Sequence, residues 1–479
     1  MPFLKMSYLH SKNISLFSKR FGNLIRQQYR NKSGKQRRWT QKSKELSGTN
    51  KALEHFDIFY KPVYKDTWPS IRISLLTTNK YCALINNYGD VERARDTLSQ
   101  LGACDILEEA SEALQSTQSP DAEAGEGFNF ARETTKKSTN ETDDAAENDE
   151  VEEPPTEDEE LLTLLRYEKN TSLDNFVPVK RVYTEKELIE QEDLEKSTYQ
   201  STGVPINIIH ESPVQIPKDL GVYAFNKGDT GEFPAPNSNN AGKLDYFLMD
   251  GASILPVIAL DLQPSDKVLD LCSAPGGKTL VMKQTNLPES IFCNDISGSR
   301  LNRLQKVLRS YIPEDVTDDI TLKQQDGRQL KNPQFNKVLV DVPCNTDRHV
   351  LLEEDNNLFK SGRTGERLQL PVVQRDLLVA GILSCIQGGS VVYSTCTLSA
   401  AQNDGIIQSA LEYIWQETDV NVAVIDLNHM AKAFSKTFRF WRNSRYGQLV
   451  LPTLSCNFGP MYIAKLKVLE RPVCNKNEY

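Results

Sequence analysis

The sequence predicts an α/β protein built on a doubly wound, mostly parallel sheet. Three observations lead there. Between residues 267 and 415, short β-branched runs alternate with segments whose apolar residues recur every three and four positions, the pattern of successive βαβ units. The first run ends in a glycine pair, Gly276 and Gly277, at the start of a helix. The residues with chemical character stand at the ends of the runs, where an open parallel sheet binds its ligand.

The elements follow in order. Residues 1–44 hold twelve Lys/Arg and no acid, with Leu16, Phe17, Phe21, Leu24 and Ile25 interspersed. That is the profile of a mitochondrial transit peptide, so a matrix location is expected. Residues 45–110 read as a small, mostly helical addition, with Phe56, Phe59, Tyr60, Trp68 and Tyr81 and a helix over Val91–Leu107. Residues 111–200 read as an acidic, largely disordered insertion: 121–160 carry sixteen acids against three bases, too few large apolar side chains to offset the entropy of ordering. One exposed helix is expected there, at Glu185–Lys196. Residues 201–470 form the catalytic domain. Its strands are Lys267–Cys272, Ser290–Asp295, Ile320–Gln325, Lys337–Val342 and Ser390–Thr395; its helices are Ser299–Ile312, Leu370–Ile386 and Ala401–Trp415. Leu449–Leu454 and Met461–Val468 are expected to form an antiparallel hairpin closing one edge.

Composition excludes several functions. No stretch reaches the roughly 18–20 apolar residues of a membrane span, so no membrane insertion is expected. Nine cysteines, without a CxxC pair, argue against a disulfide framework and against a zinc ribbon; no metal is expected. The net charge of -9 averages opposed parts, because 201–479 contain 28 bases and 30 acids. A near-neutral block of that size does not coat nucleic acid unaided.

The candidate site begins at Asp270-Leu271-Cys272-Ser273-Ala274-Pro275-Gly276-Gly277-Lys278-Thr279. A phosphate loop needs glycine five positions before Gly277, where Cys272 stands, and GxGxxG is also absent. Asp295 ends the second run eighteen residues after Gly277, and Asp326 ends the third, followed by Gly327. Acids at successive strand ends beside a Gly-Gly turn suit a ribose and adenine ligand without a polyphosphate, which makes S-adenosyl-L-methionine the candidate. The fourth run ends in Asp341-Val342-Pro343-Cys344 and the fifth in Ser394-Thr395-Cys396. A lone cysteine is most often a buried apolar residue. Two at the ends of adjacent strands suggest a nucleophile for an electron-poor carbon.

Ser273–Thr279, Asp341–Cys344 and Ser394–Cys396 together resemble the Sun-domain (bacterial Fmu-like) RNA cytosine-5 methyltransferases, over roughly 240–470. After Pro-Cys that family carries small residues and glycine. Here Asn345-Thr346-Asp347-Arg348-His349 departs from the pattern in a way that resembles the family's mitochondrial branch, as do Asn457–Tyr462 and Trp68–Arg72. The resemblance implies a Rossmann-like class I methyltransferase fold and formation of 5-methylcytosine in mitochondrial small-subunit rRNA, with a role in ribosome assembly. It implies Cys396 as nucleophile, Cys344 in release of the adduct, and Asp341 at the base edge. Gly276, Gly277, Lys278, Thr279, Asp295, Arg300, Asp326, Gly327 and Asp341 would form the cofactor site. A basic RNA-binding partner of the mitochondrial transcription-termination-factor-like family is implied too. Lys360, Arg363, Arg367 and Arg375, and the mixed basic and aromatic run Lys436–Tyr446, are candidates for RNA contact. Alternatives are a mitochondrial tRNA substrate, an assembly factor in which catalysis is secondary, and a DNA-type enzyme in which Cys344 attacks.

Overall fold

The computed structural model describes residues 47–116 and 206–471. The expected transit segment, and the acidic stretch with its helix at 185–196, lie outside these residues. The described residues from Gly48 onward belong to one compact unit.

Before residue 117 the elements are α1 (Gly48–Tyr64), α2 (Trp68–Leu76), β1 (Tyr81–Ile85), α3 (Val91–Gln100), β2 (Cys104–Asp105) and α4 (Ile106–Ser116). Helices predominate, as the sequence suggests, but β1 was not expected. Its last four residues are buried, so it shows no polar alternation to give it away. The helix expected over Val91–Leu107 is broken after Gln100. Gly102 takes φ +85°, a left-handed turn that glycine adopts freely, and Ala103 N–H caps Leu98 O at 3.1 Å.

The chain is described again from β3 (Ile208–Ile209), through β4 (Val222–Ala224), β5 (Tyr246–Asp250) and α5 (Leu255–Leu260). An antiparallel sheet of order β2-β4-β1-β5 joins segments from both sides of residues 117–205. Helix α5 is buried at every residue, which accounts for the apolar run in the sequence.

The remaining elements are β6 (Lys267–Asp270), α6 (Gly277–Gln284), β7 (Ser290–Asp295), α7 (Gly298–Tyr311), β8 (Ile320–Gln324), β9 (Phe335–Asp341), α8 (Asp347–Leu352), α9 (Thr364–Ser384), β10 (Cys385–Thr395), α10 (Asp404–Glu417), β11 (Asn421–Ile425), α11 (Asn428–Ala433), β12 (Gln448–Val450) and β13 (Met461–Glu470). They build a second sheet of order β3-β11-β13-β10-β9-β6-β7-β8. The run β10-β9-β6-β7-β8 is parallel throughout. Its order reverses between β6 and β9, a topological switch point.

One expectation is corrected. β12 and β13 do pair antiparallel, but β13 is not at an edge. It lies between β10 and β11, antiparallel to both, and the edges are β3 and β8. The nearly continuous burial of β13 on both faces is the mark of an interior strand. β11, unassigned from the sequence, occupies the place beyond it.

Candidate active site

The two thiols meet because β9 and β10 are neighbours in parallel register, with Val340 opposite Tyr393 and Asp341 opposite Ser394. Val342 N–H donates to Ser394 O at 3.2 Å, keeping the strand ends level. Cys344 and Cys396 follow those ends, and their Sγ atoms are 2.8 Å apart. Thr346 N–H donates to Cys344 Sγ at 3.3 Å. The contact with Cys344, followed by burial, raises the Cys396 thiol well above its ordinary pKa, while the Lys278 ammonium pulls it back down. At rest this sulfur holds its proton.

Asp341 ends β9 and accepts from Lys278 Nζ at 2.7 Å through Oδ2 and from Ser394 Oγ at 2.7 Å through Oδ1. Lys278 sits in the first turn of α6, with its side chain 13% exposed. Burial opposes its charge, but attraction to Asp341 and the hydrogen bond with it outweigh burial, so its pKa rises. Lys278 is therefore an interior cation and not a solvated helix-start lysine.

A second set of residues ties the two thiol loops together. Asp347, fully buried, accepts from Thr397 Oγ1 at 2.8 Å and from Leu398 N–H at 2.7 Å. Tyr60 and Tyr64 of α1 reach the same loop, at Thr397 Oγ1 (3.3 Å) and Leu398 O (2.8 Å). Gln402 Oε1 accepts from Asn345 N–H and from Gln374 Nε2, which also donates to Pro343 O. The sequence alone assigns no role to Asp347, Gln402, Gln374 or the two tyrosines. Only the unusual run after Cys344 hints at Asp347, and no local pattern reports a partner on a helix some 300 residues earlier.

At the switch point a cavity is lined by Asp295, Arg300, Asp326 and Gly327, with Ile296, Pro343 and Leu377 as apolar walls. Asp295 accepts from Ser297 N–H at 2.9 Å and Ala274 N–H at 3.3 Å, and pairs with Arg300 at 3.2 Å. Arg300 also donates to Ala274 O. The Arg328 guanidinium forks onto Asp326 and holds its carboxyl below the usual range. A Cβ on Gly327 would lie 2.9 Å from Leu377 Cδ2 and 3.2 Å from Leu271 Cδ1, so a larger residue here would push these leucines aside. Gly276 has φ +107° and would place a Cβ 3.0 Å from Leu304 Cγ; it shapes the turn that opens α6. Carboxylates for hydroxyls and apolar walls for a flat ring fit S-adenosyl-L-methionine.

Of the predicted cofactor set, Gly276, Gly277, Lys278, Thr279 and Asp341 are not in that wall. Thr279 is fully buried and donates its hydroxyl to Asp270 Oδ2 at 2.7 Å. Lys278 and Asp341 face the thiols. The expected RNA cations divide. Arg363 is paired with Glu366, Arg375 with Asp376, and Arg367 lies over the Phe359 ring at 4.5 Å. In the run 436–446, Phe438 and Tyr446 are core residues, whereas Arg439, Arg442 and Arg445 are exposed. His349 is bonded to Asp355 O at 2.8 Å.

A doubly wound sheet with an acid-lined cavity at its switch point, and two thiols on adjacent strand ends, defines a methyltransferase that uses S-adenosyl-L-methionine. Residues 257–467 match the family described as 16S rRNA methyltransferase RsmB/F. The chain is 36% identical to the 5-cytosine rRNA methyltransferase NSUN4 of Bos taurus, over 90% of this chain and 92% of that protein. It is 37% identical to the 5-cytosine rRNA methyltransferase nsun-4 of Caenorhabditis elegans, over 88% and 92%. The mitochondrial tRNA (cytosine(34)-C(5))-methyltransferase of Mus musculus is 37% identical over 52% of this chain and 71% of that protein. The chain belongs to this family of S-adenosyl-L-methionine-dependent RNA cytosine-5 methyltransferases.

Proposed function

We propose that the protein forms 5-methylcytosine in the small-subunit rRNA of mitochondria through a covalent cysteine–cytosine adduct, and that it contributes there to ribosome assembly. The pair of thiols beside Asp341 and Lys278 carries the reading. Carbon 5 of cytosine is too weak a nucleophile to take a methyl group unaided. Addition of the Cys396 sulfur to carbon 6 makes carbon 5 enamine-like, splitting one hard step into easier ones. Asp341, steadied by Lys278 and Ser394, hydrogen-bonds the base edge near nitrogen 3 and stabilises the charge that develops on the ring. Bound S-adenosyl-L-methionine supplies the methyl group. Cys344 helps remove the carbon 5 proton; the carbon 5–carbon 6 double bond re-forms and the Cys396 sulfur leaves. The base must stand outside any helix to reach these groups, so the target is flipped or single-stranded.

An rRNA substrate is favoured by extent: the named rRNA methyltransferases align over about 90% of this chain, the tRNA enzyme over 52%. Mitochondrial localisation in the matrix is supported by the basic leader 1–44 and by the name of the tRNA relative. A basic partner of the transcription-termination-factor-like family is supported by the near-neutral balance of 201–479, since phosphate contacts dominate RNA affinity. Bisulfite sequencing of mitochondrial RNA with and without the protein tests substrate and activity together: loss of one rRNA 5-methylcytosine is expected, and loss confined to tRNA would overturn the rRNA reading. Tight RNA binding by the purified protein at physiological salt would count against the partner.

A further inference from the structure

A second surface on the sheet carries chemistry that the thiol site does not use. The segment 428–456 wraps a groove of about 1340 Å³. Lys227, Lys432, Arg439 and Arg442 line it, Phe440 and Trp441 form its apolar wall, and among the described residues no carboxylate lines it. Among the described residues none of these four cations has an acidic partner within salt-bridge distance. One ammonium is fixed directly, and the backbone that carries two of the guanidinium groups is anchored to the strand beside it. Lys227 Nζ donates to Ser435 O at 2.6 Å. The backbone of Arg439 accepts from Leu451 N–H at 2.8 Å, and Trp441, just before Arg442, donates its N–H to Leu449 O at 2.7 Å. The Trp441 ring packs against Tyr64 at 4.9 Å between centroids.

The groove opens at the level of the thiols. Phe440 bridges Val450, Val450 pairs with Met461, and the next residue of β13, Tyr462, pairs with Thr395, which precedes Cys396. Three inter-strand spacings of about 4.8 Å put Phe440 roughly 14 Å from Cys396. That is a span of a few nucleotides of extended single strand. Unpaired cations beside an aromatic wall are what a flexible anionic chain with stackable bases requires. An acidic protein segment would use the cations, but the partly exposed rings of Phe440 and Trp441 beside them favour a chain that also carries flat bases.

We propose that this groove binds the single-stranded RNA flanking the target cytosine, with phosphates on Arg439, Arg442, Lys432 and Lys227 and a base against Phe440 and Trp441. The inference rests on the RNA methyltransferase reading and extends it to a subsite that selects unpaired flanking sequence. The test uses the full-length protein, a single-stranded RNA of about twenty nucleotides centred on a cytosine, and a trimmed RNA ending one nucleotide to either side of it.

In Arg439→Glu/Arg442→Glu protein, affinity for the long RNA measured by anisotropy should fall tenfold or more. The slope of log affinity against log salt should flatten by about 0.7 for each phosphate that is no longer neutralised. Affinity for the trimmed RNA and for S-adenosyl-L-methionine should not change. The conservative Arg439→Lys/Arg442→Lys protein should retain most of the affinity, which separates charge loss from misfolding. Equal affinity and equal salt slope for wild type and the reversal variant overturn the proposal. So does a variant that loses a protein partner while keeping its RNA affinity. Binding is read without turnover, so a wild-type protein that methylates no RNA would refute the activity reading and leave the groove separately tested.

Discussion

Cys344 Sγ lies 2.8 Å from Cys396 Sγ, so each thiol is the other's nearest hydrogen-bonding sulfur. The sheet enforces this, since the two residues follow neighbouring parallel strands held level by Asp341 opposite Ser394. Two sulfurs so close cannot both carry charge at rest, and Cys396 is the one whose thiol is pushed up. The contact with Cys344 thus disfavours a thiolate at Cys396 in the resting site.

The division of labour is open to direct trapping. With RNA containing 5-fluorocytosine, the wild-type protein and Cys344→Ala should form a covalent adduct stable in denaturant, and Cys396→Ala should form none. With ordinary cytosine, Cys344→Ala should accumulate adduct, because removal of the carbon 5 proton is impaired. Gel mobility of the protein–RNA species is the readout. An adduct lost in Cys344→Ala and kept in Cys396→Ala would reverse the assignment and favour a DNA-type mechanism.

The same sulfur pair sets a pH dependence. Its largest cause is Cys344, so Cys344→Ala should lower the Cys396 pKa and move iodoacetamide alkylation of Cys396 to lower pH. Lys278→Met should shift it the other way, because the ammonium acts to lower that pKa. Alkylation followed by mass spectrometry across pH 6–10 measures both. Equal profiles in all three proteins would mean that neither neighbour controls the thiol.

Much of this site is legible in the sequence because its parts are local. Gly276 and Gly277 open a helix after a strand, and Asp295, Asp326, Asp341, Cys344 and Cys396 all stand at or just beyond strand ends, so the short β-branched runs locate them without any tertiary knowledge. What stays hidden is long-range. β1 has no alternation because both faces are covered, and its partners β4 and β5 lie beyond residue 205. The interior position of β13 depends on β11, a short strand with few signals of its own. Asp347, Tyr60 and Tyr64 acquire a role only when α1 packs on the thiol loops. Thr279 shows the converse: its place in a motif suggests a ligand contact, yet its hydroxyl is spent on Asp270.

Lys278 and Asp341 form the most enclosed ion pair of the site, at 2.7 Å with side chains 13% and 30% exposed. Lys278→Met should leave the Asp341 carboxylate without its counter-charge and misdirect it from the base. We expect kcat to fall by about 10²-fold, the scale for removing one aligned charge-stabilising group. Stability should drop by about 2 kcal/mol, less than for a fully buried pair because Asp341 is partly solvated. Single-turnover methylation and urea denaturation measure the two effects. A change in stability without a change in rate would make the pair purely structural.

Asp347 makes the last prediction. Burial pushes its carboxyl up to about 6, against the bonds from Leu398 and Thr397, which pull it down. A carboxyl with a folded pKa above its unfolded value binds its proton more tightly in the folded state, so its contribution to stability falls as pH rises from about 4 to about 6 and is constant above. Asp270, raised to about 7 by burial, adds a loss of the same sign over a wider window. Asp347→Asn keeps an oxygen to accept from Leu398 N–H and an amide to donate to Thr397 Oγ1, without a charge to desolvate. Relative to wild type, the variant should therefore gain about 2 kcal/mol of stability between pH 4 and pH 7, most of a shift valued at roughly 1.4 kcal/mol per pKa unit. Comparing the two proteins cancels the other titrating groups, and denaturant midpoints at the two pH values give the difference. A variant that tracks wild type at both would show that Asp347 stays ionised throughout, and that its bonds to the Cys396 loop repay the burial of its charge.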